Sequence, residues 1–198
     1  MRRLFAFLAT TIDGYHEGPK RELDWHNASE AEGSGFPIAS GFPHLGDPAR
    51  DEIDTIVFGR VTYELMASYW PTREAEEADP EIAARMNGLQ KVVVSRTLEG
   101  ADWANTRLVR NAVAELTELK QAPGKDLGIF GSSTLTASLL PTGLIDELRI
   151  LVNPVVLGAG HPVLASAARA SMTLAGCRTF PSGNVLLTYH PAADRGER

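Results

Sequence analysis

The chain has 198 residues, of which 43% are apolar and 22% charged, and its formal net charge is −6 at pH 7. This is the composition of an ordinary soluble globular protein of one large domain or two small ones. The acidic balance argues against a general nucleic-acid-binding surface, although a few local arginines can still hold a small anion.

The first predicted element is a strand at residues 4–9, where the apolar run LFAFLA has an aromatic alternation. This run is too short for a signal peptide, and no stretch approaches the roughly 18 apolar residues of a membrane span. We therefore expect a cytoplasmic protein without a membrane partner. Residues 11–48 are polar and rich in Gly and Pro, which predicts a long loop, with a short helix within 29–38 as an alternative.

Strands and helices alternate in the middle of the chain. The segment RVTYELMASYW has Val61, Leu65 and Tyr69 at helical spacing. Pro80 favours a helix start, and Asn111 is a good N-cap for an amphipathic helix that stops at residues 123–124. Strands are predicted at residues 53–59, 91–95 and 106–110.

The last third of the chain begins with a strand, a glycine turn and a helix in DLGIFGSSTLTASLL, and then strands follow one another. Residues 144–160 are predicted to form a long strand region bent at Pro154. Residues 172–180 and 184–190 are predicted to form an antiparallel hairpin around the turn PSGN. The single cysteine, Cys177, falls in this hairpin and is expected to be a small core residue.

This order predicts an α/β fold with three layers, α/β/α, built on a mixed sheet. The sheet should be parallel in its centre, with the antiparallel hairpin at its C-terminal edge and helices on both faces. No internal repeat or linker is evident, so residues 1–190 are interpreted as a single domain and residues 191–198 as a frayed tail.

Three predicted strands are followed by glycine, arginine or hydroxyl-bearing residues. In open α/β sheets, ligands lie outside the carboxyl ends of the strands, and helix starts there offer N–H donors that suit phosphate. Arginines can fork a phosphate, and glycines let the backbone approach closely. These ends predict a site for a pyrophosphate and a further phosphate, with ordinary caps and turns as the alternative. The residues are Gly59, Arg60, Thr62, Ser95, Arg96, Thr97, Gly131, Ser132, Ser133 and Thr134.

The familiar nucleotide fingerprints are absent, because no GxGxxG follows a strand and no GxxxxGK[ST] exists. The segments TIDGY, FGRVTYE, KVVVSRTL, GIFGSSTL and LIDELRILVNPVVLGAGHPVL nevertheless occur in a recognisable order. With them the chain resembles the dihydrofolate reductase-like superfamily. It resembles more closely the reductase domain at the C-terminal end of bifunctional riboflavin-biosynthesis deaminase-reductases, over almost its whole length.

The resemblance implies an NADPH site. Arg60, Ser95 and Arg96 would meet the adenosine 2′-phosphate, while Thr62 and residues 131–134 would meet the pyrophosphate. Ala9 and the loop 12–18 would approach the nicotinamide.

Asp13 follows the first strand in TIDGY. Reduction of a C=N or C=O bond by hydride also needs a proton for the heteroatom. In the riboflavin reductases an aspartate at this place in the motif lies beside the substrate, so Asp13 is predicted to bind substrate or deliver that proton. A simple Asp-Gly turn is the alternative. Tyr15, Trp25 and Tyr63 could stack a planar heterocycle or pack in the core and loops.

The chain also departs from its resemblance. Ser132 stands where the family often has a second glycine, although a serine can still present its N–H. No counterpart of the pterin-binding carboxylate helix of true dihydrofolate reductases is found, which argues against dihydrofolate as substrate. The zinc signature of a fused deaminase is absent. The five histidines show no metal-ligand spacing, so no metal is expected.

The preferred hypothesis is an NADPH-dependent reductase of a small heterocyclic or carbonyl substrate. A non-catalytic NADP(H)-binding module and an interaction protein without a ligand are the alternatives. A homodimer is also predicted, because the strand region around 154–164 and the final hairpin offer edges that need covering.

Overall fold

The structure, a computed structural model, describes residues 1–26 and 53–192. The predicted helix within 29–38 and most of the predicted loop lie outside these residues, as does the tail beyond residue 192. The strands are β1 Leu4–Thr11, β2 Tyr15–Glu17, β3 Ile53–Gly59, β4 Gln90–Val94, β5 Thr106–Val109, β6 Asp126–Phe130, β7 Glu147–Asn153, β8 His161–Pro162, β9 Met172–Thr179 and β10 Val185–Pro191.

Five α-helices connect these strands within the described residues. They are α1 Arg60–Tyr69, α2 Arg73–Ala78, α3 Pro80–Gly88, α4 Ala112–Gln121 and α5 Ser133–Leu139. The predicted starts are confirmed, since α3 begins at Pro80 and the Asn111 side chain accepts a hydrogen bond from the Ala114 N–H at the start of α4. A 3₁₀ turn, Leu140–Thr142, follows α5.

The main sheet has eight strands in the order β5-β4-β3-β6-β1-β7-β10-β9. The first six of these are parallel to one another, whereas β10 pairs antiparallel with β7 and β9 pairs antiparallel with β10. The predicted mixed sheet with a C-terminal hairpin is therefore confirmed. A separate antiparallel pair, β2 and β8, joins the segment after β1 to the segment after β7.

Alternate residues of the central strands feed two cores, one on each face of the sheet. On one face Phe5 and Phe58 pack with Met66 of α1 and with residues of α2 and α3. On the other face Leu4 and Val57 pack with residues of α4 and α5. Because the side chains of a strand alternate between faces, strands that are apolar at every position require helices on both sides. The result is the predicted three-layer α/β/α arrangement.

Three predictions from the sequence are wrong in detail. The strand region predicted for 144–160 ends at Asn153, and residues 154–160 form no strand. The predicted apolar stripe of α1 is turned away from the core, since Val61 and Leu65 are exposed whereas Tyr63 and Met66 are buried. Cys177 is exposed rather than buried, because β9 is the outermost strand of the sheet and no helix of the two cores covers it.

Candidate functional site

The candidate site lies at the crevice between the carboxyl ends of β3 and β6. These two strands are neighbours, and the helices that follow them leave toward opposite faces of the sheet. Helix α1 follows β3 and packs in one core, while α5 follows β6 and packs in the other. An open α/β sheet binds its ligands at such a divergence, because the separating connections leave a cleft above the strand ends.

Two hydrogen bonds connect the two sides of this crevice. The Gly59 N–H donates to the Ser132 Oγ over 2.9 Å, and the Ser132 N–H donates to the Thr62 Oγ1 over 3.1 Å. Ser132 has a φ of +51° and Gly131 a φ of +61°, so the chain turns through two left-handed residues before α5. The residues predicted to hold pyrophosphate are therefore brought together, and in this structure they bind one another.

The glycine at 131 is required by both conformation and space. A Cβ at this position would lie 3.3 Å from the Cγ2 of Thr62, closer than ordinary contacts. The positive φ would add strain to any other residue. The backbone between β6 and α5 therefore packs directly against the Thr62 side chain.

The two hydroxyl residues after Ser132 differ in their surroundings. Ser133 is buried, and its Oγ accepts a hydrogen bond from the Leu164 N–H at 2.8 Å. Thr134 is exposed. Ser133 therefore joins the turn before α5 to the segment after β8, whereas the Thr134 side chain is accessible to a ligand.

The polar residues that follow the valine run of β4 form a turn at the end of that strand. The Ser95 Oγ accepts hydrogen bonds from the backbone N–H groups of Thr97 and Leu98, at 3.2 and 2.9 Å. Ser95 itself is buried, while Arg96 and Thr97 are exposed. The serine thus shapes a turn that presents an arginine at the strand end.

Arg60 and Arg96 leave the sheet along the same edge. Gly59 and Val94 are paired in register, and the two arginines follow these residues by one and two positions. Neighbouring strands lie about 4.8 Å apart, so the two backbones leave the sheet side by side. Arg60 forms an ion pair with Glu64 at 2.8 Å, one turn along α1.

A third arginine at this edge was missed by the sequence analysis. Val94 is paired in register with Val109, the last residue of β5, and Arg110 follows at once. The Arg110 Nη1 donates to the Ser95 carbonyl at 2.6 Å. Its only signal in the sequence was its place after a short strand, and the pairing of that strand was unknown.

Asp13 joins the loop after β1 to the loop after β7. Its carboxylate accepts hydrogen bonds from the Thr11 Oγ1 at 2.6 Å, the Gly158 N–H at 2.7 Å and the Leu157 N–H at 3.3 Å. The Thr11 hydroxyl lowers the pKa of Asp13 more than burial raises it, and the Gly158 and Leu157 N–H groups lower the pKa further. The exposed carboxylate is therefore ionised at neutral pH.

Buried amides support the end of β1, where the nicotinamide is expected. The Asn153 Nδ2 donates to the Thr10 carbonyl at 3.2 Å, and the Asn184 Nδ2 donates to the Asn153 Oδ1 at 3.1 Å. Ala9 lies just before Thr10, is half-buried, and pairs in register with Leu151. These asparagines fix the backbone of the strand end without touching Asp13.

The three aromatic candidates lie in different surroundings. Tyr63 is buried, and its hydroxyl accepts a hydrogen bond from the Trp103 N–H at 3.1 Å, so it is a core residue. Trp25 is buried against the ring of His26, with 3.8 Å between the ring centroids. Tyr15 is half-buried in β2. Of the three, Tyr15 has the most exposed side chain and lies closest in sequence to Asp13.

Residues 1–26 and 53–192 contain neither a candidate metal site nor a candidate membrane span. No group of histidine, cysteine, aspartate and glutamate side chains there could hold a metal ion. None of the helices in the same ranges has the length and apolar character that a bilayer crossing needs.

Comparison with protein families identifies one match that covers most of the chain. Residues 2–186 match the RibD C-terminal domain. The uncharacterized protein YyaP of Bacillus subtilis is 32% identical over 191 residues, which are 96% of this chain and 95% of YyaP. The similarity therefore spans the whole architecture described above rather than one motif.

Solved structures show the same fold. A Shewanella protein named for riboflavin biosynthesis has a TM-score of 0.69 at 22% identity, covering 96% of this chain and 99% of its own. Dihydrofolate reductase from Enterococcus faecalis, in complex with NADP(H) and RAB-propyl, has a TM-score of 0.62 at 17% identity, covering 96% of this chain and 97% of its own. At these identities the likeness concerns the fold.

Proposed function

The chain belongs to the RibD C-terminal domain family, and we propose that it is an NADPH-dependent reductase of a small heterocyclic or carbonyl substrate. The family and the dihydrofolate reductase-like fold support an NADP-dependent reductase in general. The observation that carries the proposal is the crevice between β3 and β6, with arginines on the neighbouring strand ends.

The residues present fit a phosphorylated dinucleotide. Residues 131–134 lead into α5, and the Thr62 hydroxyl and the exposed Thr134 lie on the same crevice. Within the described residues Arg96 has no acidic partner, so its charge is available for an anion. In our proposal Arg60, Ser95 and Arg96 hold the 2′-phosphate, Thr62 and residues 131–134 hold the pyrophosphate, and Ala9 adjoins the nicotinamide.

The bound cofactor would supply a hydride to the substrate carbon, and a proton must reach the heteroatom of the same C=O or C=N bond. In our proposal Asp13 stands at the nicotinamide end of the crevice, but its lowered pKa makes it a poor acid at neutral pH. In our proposal its carboxylate holds the loops around the substrate and orients a water that delivers the proton. Tyr15 adjoins this position and contributes one wall.

Steady-state kinetic measurements with NADPH test this proposal. Oxidation of NADPH at 340 nm would be followed with a panel of small pteridine, pyrimidine and carbonyl compounds, and the wild type is expected to turn over at least one of them. Asp13→Asn is expected to lower kcat by about 100-fold, the lower limit for a proton-transfer contribution, while the Kd for NADPH is retained. Unchanged turnover in this variant would remove Asp13 from the mechanism.

A non-catalytic NADP(H)-binding module is the second candidate, and the state of Asp13 favours it. Its carboxylate accepts hydrogen bonds from two backbone N–H groups of the neighbouring loop, as a purely structural residue would. On this alternative, wild-type protein binds NADPH saturably but oxidises it with no compound of the panel. Thermal stabilisation by NADPH without turnover would therefore support the module and reject the reductase.

We further propose that the protein forms a homodimer through the C-terminal hairpin and is located in the cytoplasm. Strand β9 is the outermost strand of the sheet, and Leu174 and Cys177 on it are exposed. An apolar edge strand invites pairing unless something covers it. Replacing Leu174 with Lys should shift sedimentation from dimer to monomer, and a wild-type monomer at micromolar concentration would contradict the proposal.

A further inference from the structure

The edge formed by β3, β4 and β5 carries one arginine on each strand end. Gly59, Val94 and Val109 form a register row across these strands, and Arg60, Arg96 and Arg110 follow within two residues. With a strand spacing of about 4.8 Å, the outer two backbones are roughly 10 Å apart, with Arg96 between them.

The three guanidinium groups are in different states. Arg60 forms a solvent-exposed ion pair with Glu64, one turn along α1, and remains accessible to an anion. Arg96 has no acidic partner among the described residues, and Arg110 binds only a carbonyl within the same part of the chain. A carbonyl carries no net charge, so Arg110 keeps its positive charge at the edge. One of its five N–H donors is used in that bond, and the others stay available to an anion.

The bond from Arg110 to Ser95 also acts on the turn beside it. The Ser95 carbonyl, which Arg110 binds, belongs to the peptide bond between Ser95 and Arg96. The Ser95 hydroxyl accepts hydrogen bonds from the N–H groups of Thr97 and Leu98 and so closes the turn. The side chain of Arg110 therefore anchors the turn from outside, while Ser95 closes it from within. Guanidinium is suited to both tasks, because its planar fork can donate to an oxygen and remain charged.

We propose that Arg110 determines cofactor specificity, holding the Ser95 turn and adding the third positive charge that distinguishes NADPH from NADH. This inference rests on the proposed function, since it concerns the adenosine end of that site. The ligand group it recognises is the phosphate ester on the 2′-hydroxyl of adenosine, the only chemical difference between the two cofactors.

Fluorescence titrations of the full chain with NADPH and NADH test the inference. Arg110→Gln is expected to raise the Kd for NADPH by about 10-fold or more and to leave the Kd for NADH within about twofold, because one charge-assisted contact to the phosphate is lost. Arg110→Lys keeps the charge but not the fork, so its Kd for NADPH should lie between those of the wild type and Arg110→Gln.

Arg107→Gln is the matched control. Arg107 lies on the same strand and the substitution removes the same charge, but its guanidinium is paired with Glu115 of α4. This variant is expected to bind both cofactors as the wild type does. Adenosine 2′,5′-bisphosphate and 5′-AMP serve as short probes, and only the former should lose affinity in Arg110→Gln.

The outcomes separate the inference from the proposed function. If wild-type protein binds NADPH but Arg110→Gln keeps the same preference over NADH, the role of Arg110 is refuted and the reductase proposal stands. An equal loss of both cofactors in Arg110→Gln, with an unchanged melting curve, would also refute it, because a purely structural role would affect both. If wild-type protein binds neither cofactor, the proposed function itself fails.

Discussion

Lys91 is the residue whose environment departs most from the surface setting expected of a lysine. Its side chain is 1% exposed, and its Nζ donates to the carbonyls of Met86, Asn87 and Leu89 where α3 ends. It also lies 4.5 Å from the centroid of the Trp103 ring. The ammonium group donates to three carbonyls at the end of α3, where carbonyls have no intrahelical donor, and burial lowers the pKa of Lys91 to about 8.

We predict that Lys91→Met lowers the free energy of unfolding at pH 7 by about 1–3 kcal/mol, because buried carbonyls lose their donor. The wild type should also gain stability relative to this variant between pH 8 and 10.5. In that window the unfolded lysine still binds a proton that the folded one has released, so raising the pH favours the folded state. Urea denaturation of both proteins at pH 7, 9 and 10.5 measures this, and a constant difference would contradict the lowered pKa.

At the scale of elements, the junction between β3, α1 and α5 depends on the serine at 132. Its hydroxyl replaces a backbone partner for the Gly59 N–H, and its own N–H is satisfied by Thr62. Ser132 has a left-handed conformation that a glycine would adopt without strain. The serine has a conformational cost, and its hydroxyl offsets part of that cost by bonding the end of β3.

Two substitutions separate the effect of the Ser132 hydrogen bond from the effect of its positive φ. Ser132→Ala loses the hydroxyl and keeps the strained φ, so it should be destabilised by about 1–2 kcal/mol. Ser132→Gly loses the same bond but relieves the strain, so it should be more stable than Ser132→Ala by about 1 kcal/mol. Equilibrium urea denaturation of the pair provides the comparison, and equal stabilities would mean that the positive φ costs nothing at this site.

At the scale of the whole molecule, the site links segments that are far apart in sequence. The Asp13 carboxylate binds the loop after β7, and Ser133 binds the backbone after β8. Because these contacts join the two ends of the crevice to one folded unit, a ligand bound there should stabilise the entire domain.

We predict that NADPH at 100 times its Kd adds about 2.7 kcal/mol to the free energy of unfolding. For a chain of this size that corresponds to an increase in Tm of about 5–10 °C. Differential scanning fluorimetry with NADPH, NADH and 5′-AMP gives the measurement, with 5′-AMP as the control that lacks the additional phosphate. A flat response to every nucleotide would favour an interaction protein without a nucleotide ligand.

The sequence by itself determined the class of fold and the chemistry of the strand ends. Continuous apolar runs such as those of β3 and β4 can be buried only in a sheet covered on both faces, and a glycine-arginine-threonine group directly after a strand is visible without any structure. Capping residues such as Asn111 act within one turn, so their effect is also local and was predicted correctly.

The tertiary structure alone decided which of these local features meet. The order of strands places β5 beside β4 and so brings Arg110 to Ser95, a contact between residues 15 positions apart that no periodicity reveals. The same order leaves Cys177 exposed at the edge, while packing against Trp103 turns Tyr63 into the core. Contacts across strands depend on pairing and register, and these are properties of the assembled sheet rather than of any segment within it.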